Sequence, residues 1–193
     1  MKTYRARLKS GAGLLFNRGY EHEVERNQGE SFDDYERRTW QSRAHVNEDG
    51  FVTIPAIFFK NVIHEAAAYR SDKLRGNKTY TKVFQGGVTV YEPLVTAYKA
   101  ADCKAQSMYV PTDGRHGSGK RVWKTFPVLP KWEGVIEIIV MDEQVTQEVL
   151  LNTVQTAGMF IGIGGRRPAN RGDFGRFIVV SLEEVSQPEA LAA

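Results

Sequence analysis

The sequence predicts an α+β domain whose elements run strand, helix, strand, strand, helix, strand, interrupted by two long insertions. Three observations carry the prediction. Thr3 to Ser10 alternates apolar and basic residues, the period of a half-buried strand. Ala56 to Tyr69 repeats apolar residues at helical spacing, and a second such stretch follows Thr146. Val135 to Met141 is strongly apolar and β-branched, as a buried strand requires.

The elements follow in order. Tyr4, Ala6 and Leu8 share one side of the first strand, and Arg5, Arg7 and Lys9 share the other, which is left to water or a ligand. Gly11, Gly13 and Gly19 break it. Residues 18–48 are polar and acidic, with Phe32, Tyr35 and Trp40 as rare apolar positions, and read as a long loop insertion. Phe51 to Ile54 is a short apolar run, and Pro55 fits the first turn of the helix that follows. Phe59, Val62, Ile63 and Ala66 form its core stripe. Lys60 and His64, four apart, share another face.

A basic turn with Lys73, Arg75, Lys78 and Lys82 leads to a strand over Val88 to Tyr98, bent at Pro93. Residues 99–131 form the second insertion, in which Tyr109, Trp123 and Phe126 interleave with cations and Gly114, Gly117 and Gly119 supply pliability. After the strand at 135–141, Asp142 and Thr146 are candidate caps of the second helix, and Gly158 is its expected stop. Phe174 to Leu182 is the last strand, and the tail from Ser186 frays. The whole chain, 1–193, reads as one ferredoxin-like β-α-β-β-α-β domain.

Composition bounds the function. The net charge of +3 over 193 residues is too small to require a nucleic-acid partner, but the charge is segregated. Glu21, Glu23, Glu25, Glu30, Asp33, Asp34 and Glu36 make one stretch acidic, and Lys104 to Lys131 is basic. Such segregation suits an anionic ligand or head-to-tail self-association. Cys103 is the only cysteine, so no internal disulfide forms. No apolar run has the length of a signal or a membrane span, so a cytoplasmic protein without a membrane partner is expected.

Gly-rich and acidic motifs narrow the chemistry further. GRHGSGKR at 114–121 nearly spells a phosphate-binding P-loop, but Arg121 stands where Ser or Thr must hold magnesium. Gly162 and Gly164 begin a dinucleotide fingerprint that fails at Arg167 and leads into a strand. His22, His45, His64 and His116 are scattered and make no metal-ligand spacing, so no metal or other cofactor is expected. Asp33 and Asp34 are an acidic pair in the first insertion, the only candidates for catalysis.

The stretch AGMFIGIGGRRPANRGDFGRFIVV, 157–180, is the most informative. Its glycines permit tight turns and close approach, and Arg166, Arg167, Arg171 and Arg176 supply planar charged forks suited to phosphate. Gly164 and Gly165 would add loop amides to the same anion site. The bland alternative is a Gly-rich turn with solvated arginines.

IGIGGRRPANRGDFGRFIV resembles the signature of the RAMP superfamily of CRISPR-associated proteins. That signature is a glycine and basic loop, then G-(F/Y)-G-(R/K) and a strand; here Asp173-Phe174-Gly175-Arg176 stands in that place. VTIPAIFFKNVIHEA at 52–66 is similar to the segment I-P-G-S-S-(L/I)-K-G-x-(L/I/V)-R of that superfamily. Ile54, Pro55 and Lys60 match, while Ala56, Ile57, Phe58, Asn61 and His64 depart from it. Within the superfamily the likeness is greatest to the Cas-seven type subunits that polymerise along a guide RNA. At this length the chain looks like a standalone relative, for instance one carried by a phage or mobile element.

The resemblance implies an RRM-like core that binds single-stranded nucleic acid, with RNA favoured over DNA. It implies head-to-tail homo-oligomers or partnership with other subunits of a ribonucleoprotein, and a thumb-like insertion that presses between bases. On this reading Arg166, Arg167, Arg171 and Arg176 contact phosphates, Lys60 and His64 track the backbone, and Arg115, Lys120, Arg121, Trp123 and Lys124 form the thumb. Two alternatives stand beside it: a ribonuclease using Asp33 or Asp34, and a protein-interaction or structural module of the same fold without nucleic acid.

Overall fold

The elements run β1 (Lys2–Ser10), β2 (Leu14–Leu15), α1 (Phe32–Thr39), β3 (Phe51–Ile54), α2 (Ala56–Arg70), α3 (Thr81–Gly87), β4 (Val88–Thr89), β5 (Leu94–Lys99), β6 (Lys104–Pro111), β7 (Arg121–Leu129), β8 (Glu133–Val140), α4 (Gln147–Thr156) and β9 (Phe177–Val185). This is a computed structural model, and it describes residues 1–18, 24–74, 76, 78–112 and 119–185.

Strand β1 lies inside the main sheet, whose order is β4-β8-β1-β9 with every pairing antiparallel. Its alternation is realised in space. Tyr4, Ala6 and Leu8 are buried, and Arg5, Arg7 and Lys9 are exposed. Ile136, Ile138 and Val140 of β8 continue the buried face, and Phe59, Val62, Ile63 and Ala66 of α2 join them in one core with Leu150 and Val154 of α4. The expected order of strands and helices is therefore present, with both longer helices contributing to the same core.

Four local expectations are corrected. Residues 18–48 are not all loop. Ser31 caps α1, accepting from the Asp34 amide at 3.1 Å and donating to the Asp34 carboxylate at 2.7 Å. Tyr35 and Thr39, one turn apart, are buried. The predicted strand over 88–98 is divided: β4 joins the main sheet, while β5 pairs with β3. Pro93 lies in the break, where it lacks the N–H a continuous ladder needs. Among the described residues of 99–131 the insertion expected to be pliable is largely a hairpin, with β6 and β7 in register from Lys104 opposite Val128 to Pro111 opposite Arg121, while Gly114 and Gly117 lie outside the described residues. Strand β2 pairs along the other edge of β7.

The fourth correction concerns Gly158. Thr146 caps α4 as expected, but the chain passes through Gly158 in a π-helical turn, Ala157–Ile161, and stops at Gly162. A Cβ on Gly158 would lie 2.1 Å from the Phe177 carbonyl oxygen. The glycine is there so that the helix end can press on β9.

The first insertion is fastened to the hairpin by a buried ion pair. Arg43, in the 3₁₀ turn Trp40–Arg43 after α1, grips both Glu36 oxygens at 2.7 and 2.9 Å. Arg43 also donates to the Thr125 carbonyl at 2.6 Å, and the Thr125 amide donates to Glu36 at 3.0 Å. Burial alone would push the Glu36 carboxyl up, but the Arg43 hydrogen bonds and the Thr125 amide outweigh it and hold it below the usual glutamate value.

Two predictions follow from this packing. Glu36→Gln leaves Arg43 buried without its counter-charge and should destabilise the fold by about 3 kcal/mol or more, read by denaturant unfolding. A depressed folded pKa means that the contribution of Glu36 is full above the ordinary glutamate value of 4.5 and is lost as the pH falls through the folded value. The gap between wild type and variant should therefore be constant near neutral pH and narrow in acid. Gly158→Ala should cost about 1–3 kcal/mol through overpacking against Phe177, read by denaturant unfolding.

Candidate nucleic-acid interface

The glycine and arginine loop is closed by its own backbone. The Ile163 amide donates to the Gly175 carbonyl at 2.9 Å, and the Gly175 amide to the Gly13 carbonyl at 2.8 Å. The Gly165 amide donates to Leu15 at 2.9 Å, the Phe174 amide to Arg166 at 3.1 Å and the Gly172 amide to Arg167 at 3.1 Å. Gly175 has φ 75°, and a Cβ there would fall 1.8 Å from the Ile163 carbonyl oxygen, so no other residue closes the loop this way. The expectation that the amide of Gly165 meets an anion is thereby corrected: it is satisfied inside the protein. Charge presentation falls to the side chains.

Arg166 and Arg171 both adopt left-handed backbone, φ 51° and 60°, and both are exposed. Such conformations in non-glycine residues cluster where function holds them in place. Arg167 is held differently. Its guanidinium donates to Glu65 of α2 at 2.8 Å and to the Gly162 carbonyl at 3.4 Å.

The loop forms one bank of an open cleft of about 1160 Å³. Arg166, Arg167 and Arg171 line that bank, Arg121 and Lys124 come from β7, and Arg18 and Arg43 come from the first insertion. Among the described residues no Asp or Glu lines the cleft. Arg18, Arg121, Arg166 and Arg171 make no ion pair among the described residues, unlike Arg43 and Arg167. Tyr35, Phe58, Tyr109 and Phe126 add rings, and Asn17, Ser42, Asn61 and Asn170 add uncharged polar groups. The arrangement can neutralise a chain of anionic groups and stack flat apolar ones, which is the chemistry a single strand presents.

The open face of the main sheet differs. There Arg5 faces Glu137 and Glu183, with an ion pair to Glu137 at 2.8 Å, and Lys9 faces Glu133. Arg5 and Lys9 thus stand beside carboxylates, whereas Arg7 lies opposite Val135 and Ser181.

The other sequence-predicted residues are placed as follows. Trp123 is exposed beside the cleft, its ring tilted at 46° to Tyr109 with centroids 5.5 Å apart. Lys120 is exposed immediately before β7. Arg115 lies outside the described residues. Gly164 and Gly165 line the cleft. Lys60, half-buried on α2, does not line it. His64 does not either; its Nε2 bonds the Val88 carbonyl at 2.8 Å and joins α2 to β4. Arg176 donates to the Met159 carbonyl and stands 3.8 Å from Asp173, away from the cleft. Asp33 and Asp34 sit in the first turn of α1, where acidic groups complement the helix N-terminus, and neither lines the cleft.

Three carboxylates of the acidic stretch, Glu30, Asp34 and Glu36, are paired within the fold. Arg38 grips both Glu30 oxygens at 2.8 Å, and these hydrogen bonds hold the Glu30 carboxyl at about 2. Asp34 meets Arg37 at 3.4 Å, and Glu36 meets Arg43. The segment thus brings cations to the cleft as well as carboxylates to its own helix. Arg18, Arg43, Tyr35 and Asn17 were not identifiable from the sequence, because only the folding of distant segments makes them neighbours. Among the described residues no cluster of three or more His, Cys, Asp or Glu could hold a metal, and no helix is long and apolar enough to cross a membrane.

No protein-family model matches the chain, and no curated protein matches it in sequence. Solved structures do. Cmr6 from Pyrococcus furiosus aligns over 93% of this chain and 98% of its own, with TM-score 0.50 and 14% identity. A chain of the Type III-B Cmr-beta complex bound to cognate target RNA aligns over 96% of this chain, with TM-score 0.55 and 13% identity. This chain covers 61% of that second one. The chain therefore shares the α+β fold of these two structures, and the α+β class expected from the sequence is present.

Proposed function

We propose that the protein binds single-stranded nucleic acid, RNA in preference to DNA, in the cleft between the glycine and arginine loop and the β6–β7 hairpin. The observation that carries this reading is the lining: among the described residues, seven Arg and Lys from three separate parts of the chain and no carboxylate. Bringing so many cations together is unfavourable unless an anion offsets their repulsion. Among the described residues four of the seven have no internal ion pair, which supports their availability to phosphates.

The proposed roles follow from the geometry. Arg166 and Arg171 take phosphates from one bank, and Arg121 and Arg18 from the other. Arg167 and Arg43 are oriented by Glu65 and Glu36 and hold the two banks in place. Tyr109 and Trp123 offer rings to bases at the hairpin. The RNA-bound state of the second aligned structure supports RNA over DNA. Its membership of a complex supports work inside an assembly, with copies head to tail or beside other subunits. The ribonuclease reading loses ground because Asp33 and Asp34 do not line the cleft.

Each phosphate contact on a single strand contributes about −0.7 to the slope of log affinity against log salt, so four free arginines predict a slope of about −3. The double variant Arg166→Gln, Arg171→Gln should lower that slope in magnitude by about 1.4 and weaken binding evenly across sequences, as measured by fluorescence anisotropy over a salt series. Absence of single-strand binding by the wild type at low salt would sink the proposal.

A further inference from the structure

The cleft does not account for an exposed aromatic pair formed by Tyr69 of α2 and Phe160 of the turn after α4. Tyr69, at the end of α2, is 63% exposed, and Phe160 is 49% exposed. Their rings stack at 19° with centroids 5.9 Å apart. Neither belongs to the apolar core. Two large rings lying parallel in solvent form a flat apolar surface, which is uncommon on a protein face without a ligand.

Its position relative to the cleft gives it a use. Asn61, Glu65 and Tyr69 are spaced four apart, so they lie in one row along α2, with about 12 Å of helix axis between the first and the last. Asn61 lines the cleft. Glu65, next in the row, is met by Arg167 at 2.8 Å, so the one carboxylate on the route carries its own counter-charge. Tyr69 ends the row. Phe160 approaches from the other side: it belongs to the π-helical turn Ala157–Ile161, immediately before Gly162 opens the arginine loop. Both elements that border the cleft thus continue to the same ring pair. Arg176 donates to the Met159 carbonyl and sets a guanidinium beside that turn.

We infer that the Tyr69–Phe160 stack is a second base-binding site, which takes an unpaired base of the strand after it leaves the cleft along Asn61 and Glu65. The inference rests on the nucleic-acid reading of the cleft. A base stacks on the outer face of the pair, and Arg176, beside the turn that carries Phe160, stands near its phosphate. An apolar protein partner would also cover two rings, but it has no need of the row leading from a cationic cleft.

The test uses oligouridylates of about 5 and about 12 nucleotides, within the usual span of single-strand sites. Affinities are measured for the wild type, for the double variant Tyr69→Ala, Phe160→Ala, and for Tyr69→Phe. The double variant should bind the short strand as the wild type does, and its advantage on the long strand should fall about tenfold, the scale of one lost base stack. Tyr69→Phe keeps the ring and should keep the advantage. An unchanged ratio of long- to short-strand affinity in the double variant overturns the second site and leaves the cleft standing. The same unchanged ratio, with a smaller oligomer by light scattering, overturns it in favour of a protein contact. A wild type that binds neither strand overturns both the site and the cleft reading.

Discussion

The structure depends on one closure: the loop from Gly162 to Gly175 is folded against the chain's first turn, through Gly13 and Leu15. That closure brings the end of the chain back to its beginning, beside β1 and β2. It uses the amides of Ile163, Gly165, Gly172, Phe174 and Gly175 for the fold. It also fixes Arg166 and Arg171 in backbone conformations that cost on the order of 1–3 kcal/mol each and persist only where surroundings over-determine them. The result is a rigid rim from which charged side chains project.

The facing bank is built from different means. The β6–β7 hairpin has a small core of its own, with Leu15, Val110, Phe126 and Val128. The Glu36–Arg43 pair then ties the first insertion to Thr125 of the hairpin. A buried ion pair is seldom the most stabilising choice, because desolvation offsets most of the attraction. Its directionality is what apolar contact lacks. Four hydrogen bonds among Glu36, Arg43 and Thr125 allow one placement of the insertion on β7, and with it one width for the cleft.

Much of the fold was legible because local periodicity reports burial. The alternation at Tyr4, Ala6 and Leu8, and the stripe at Phe59, Val62, Ile63 and Ala66, each became core. The arginine loop was legible as well, since the density of glycine and arginine there has few other uses. What stayed hidden was tertiary. Helix α1 is mostly polar, and its signal was a Ser31–Asp34 cap amid charges that mimic a loop. Gly158 has the sequence signature of a helix stop, but its neighbour Phe177 is visible only in space. Lys60 and His64 share a helix with Asn61, yet helix rotation turns Asn61 to the cleft and His64 to β4. Arg18 and Arg43 lie in a stretch whose overall acidity concealed them.

The central claim is that a single strand lies in the cationic cleft and not on the open face of the main sheet, where Arg5 and Lys9 stand beside Glu137 and Glu133. Photo-crosslinking of a thiouridine-substituted strand, with the linked peptides identified by mass spectrometry, tests it most directly. The account predicts crosslinks at Tyr109 or Trp123 on the hairpin and within 164–171 on the loop. Crosslinks confined to β1 and β8, with none on either bank of the cleft, would contradict it.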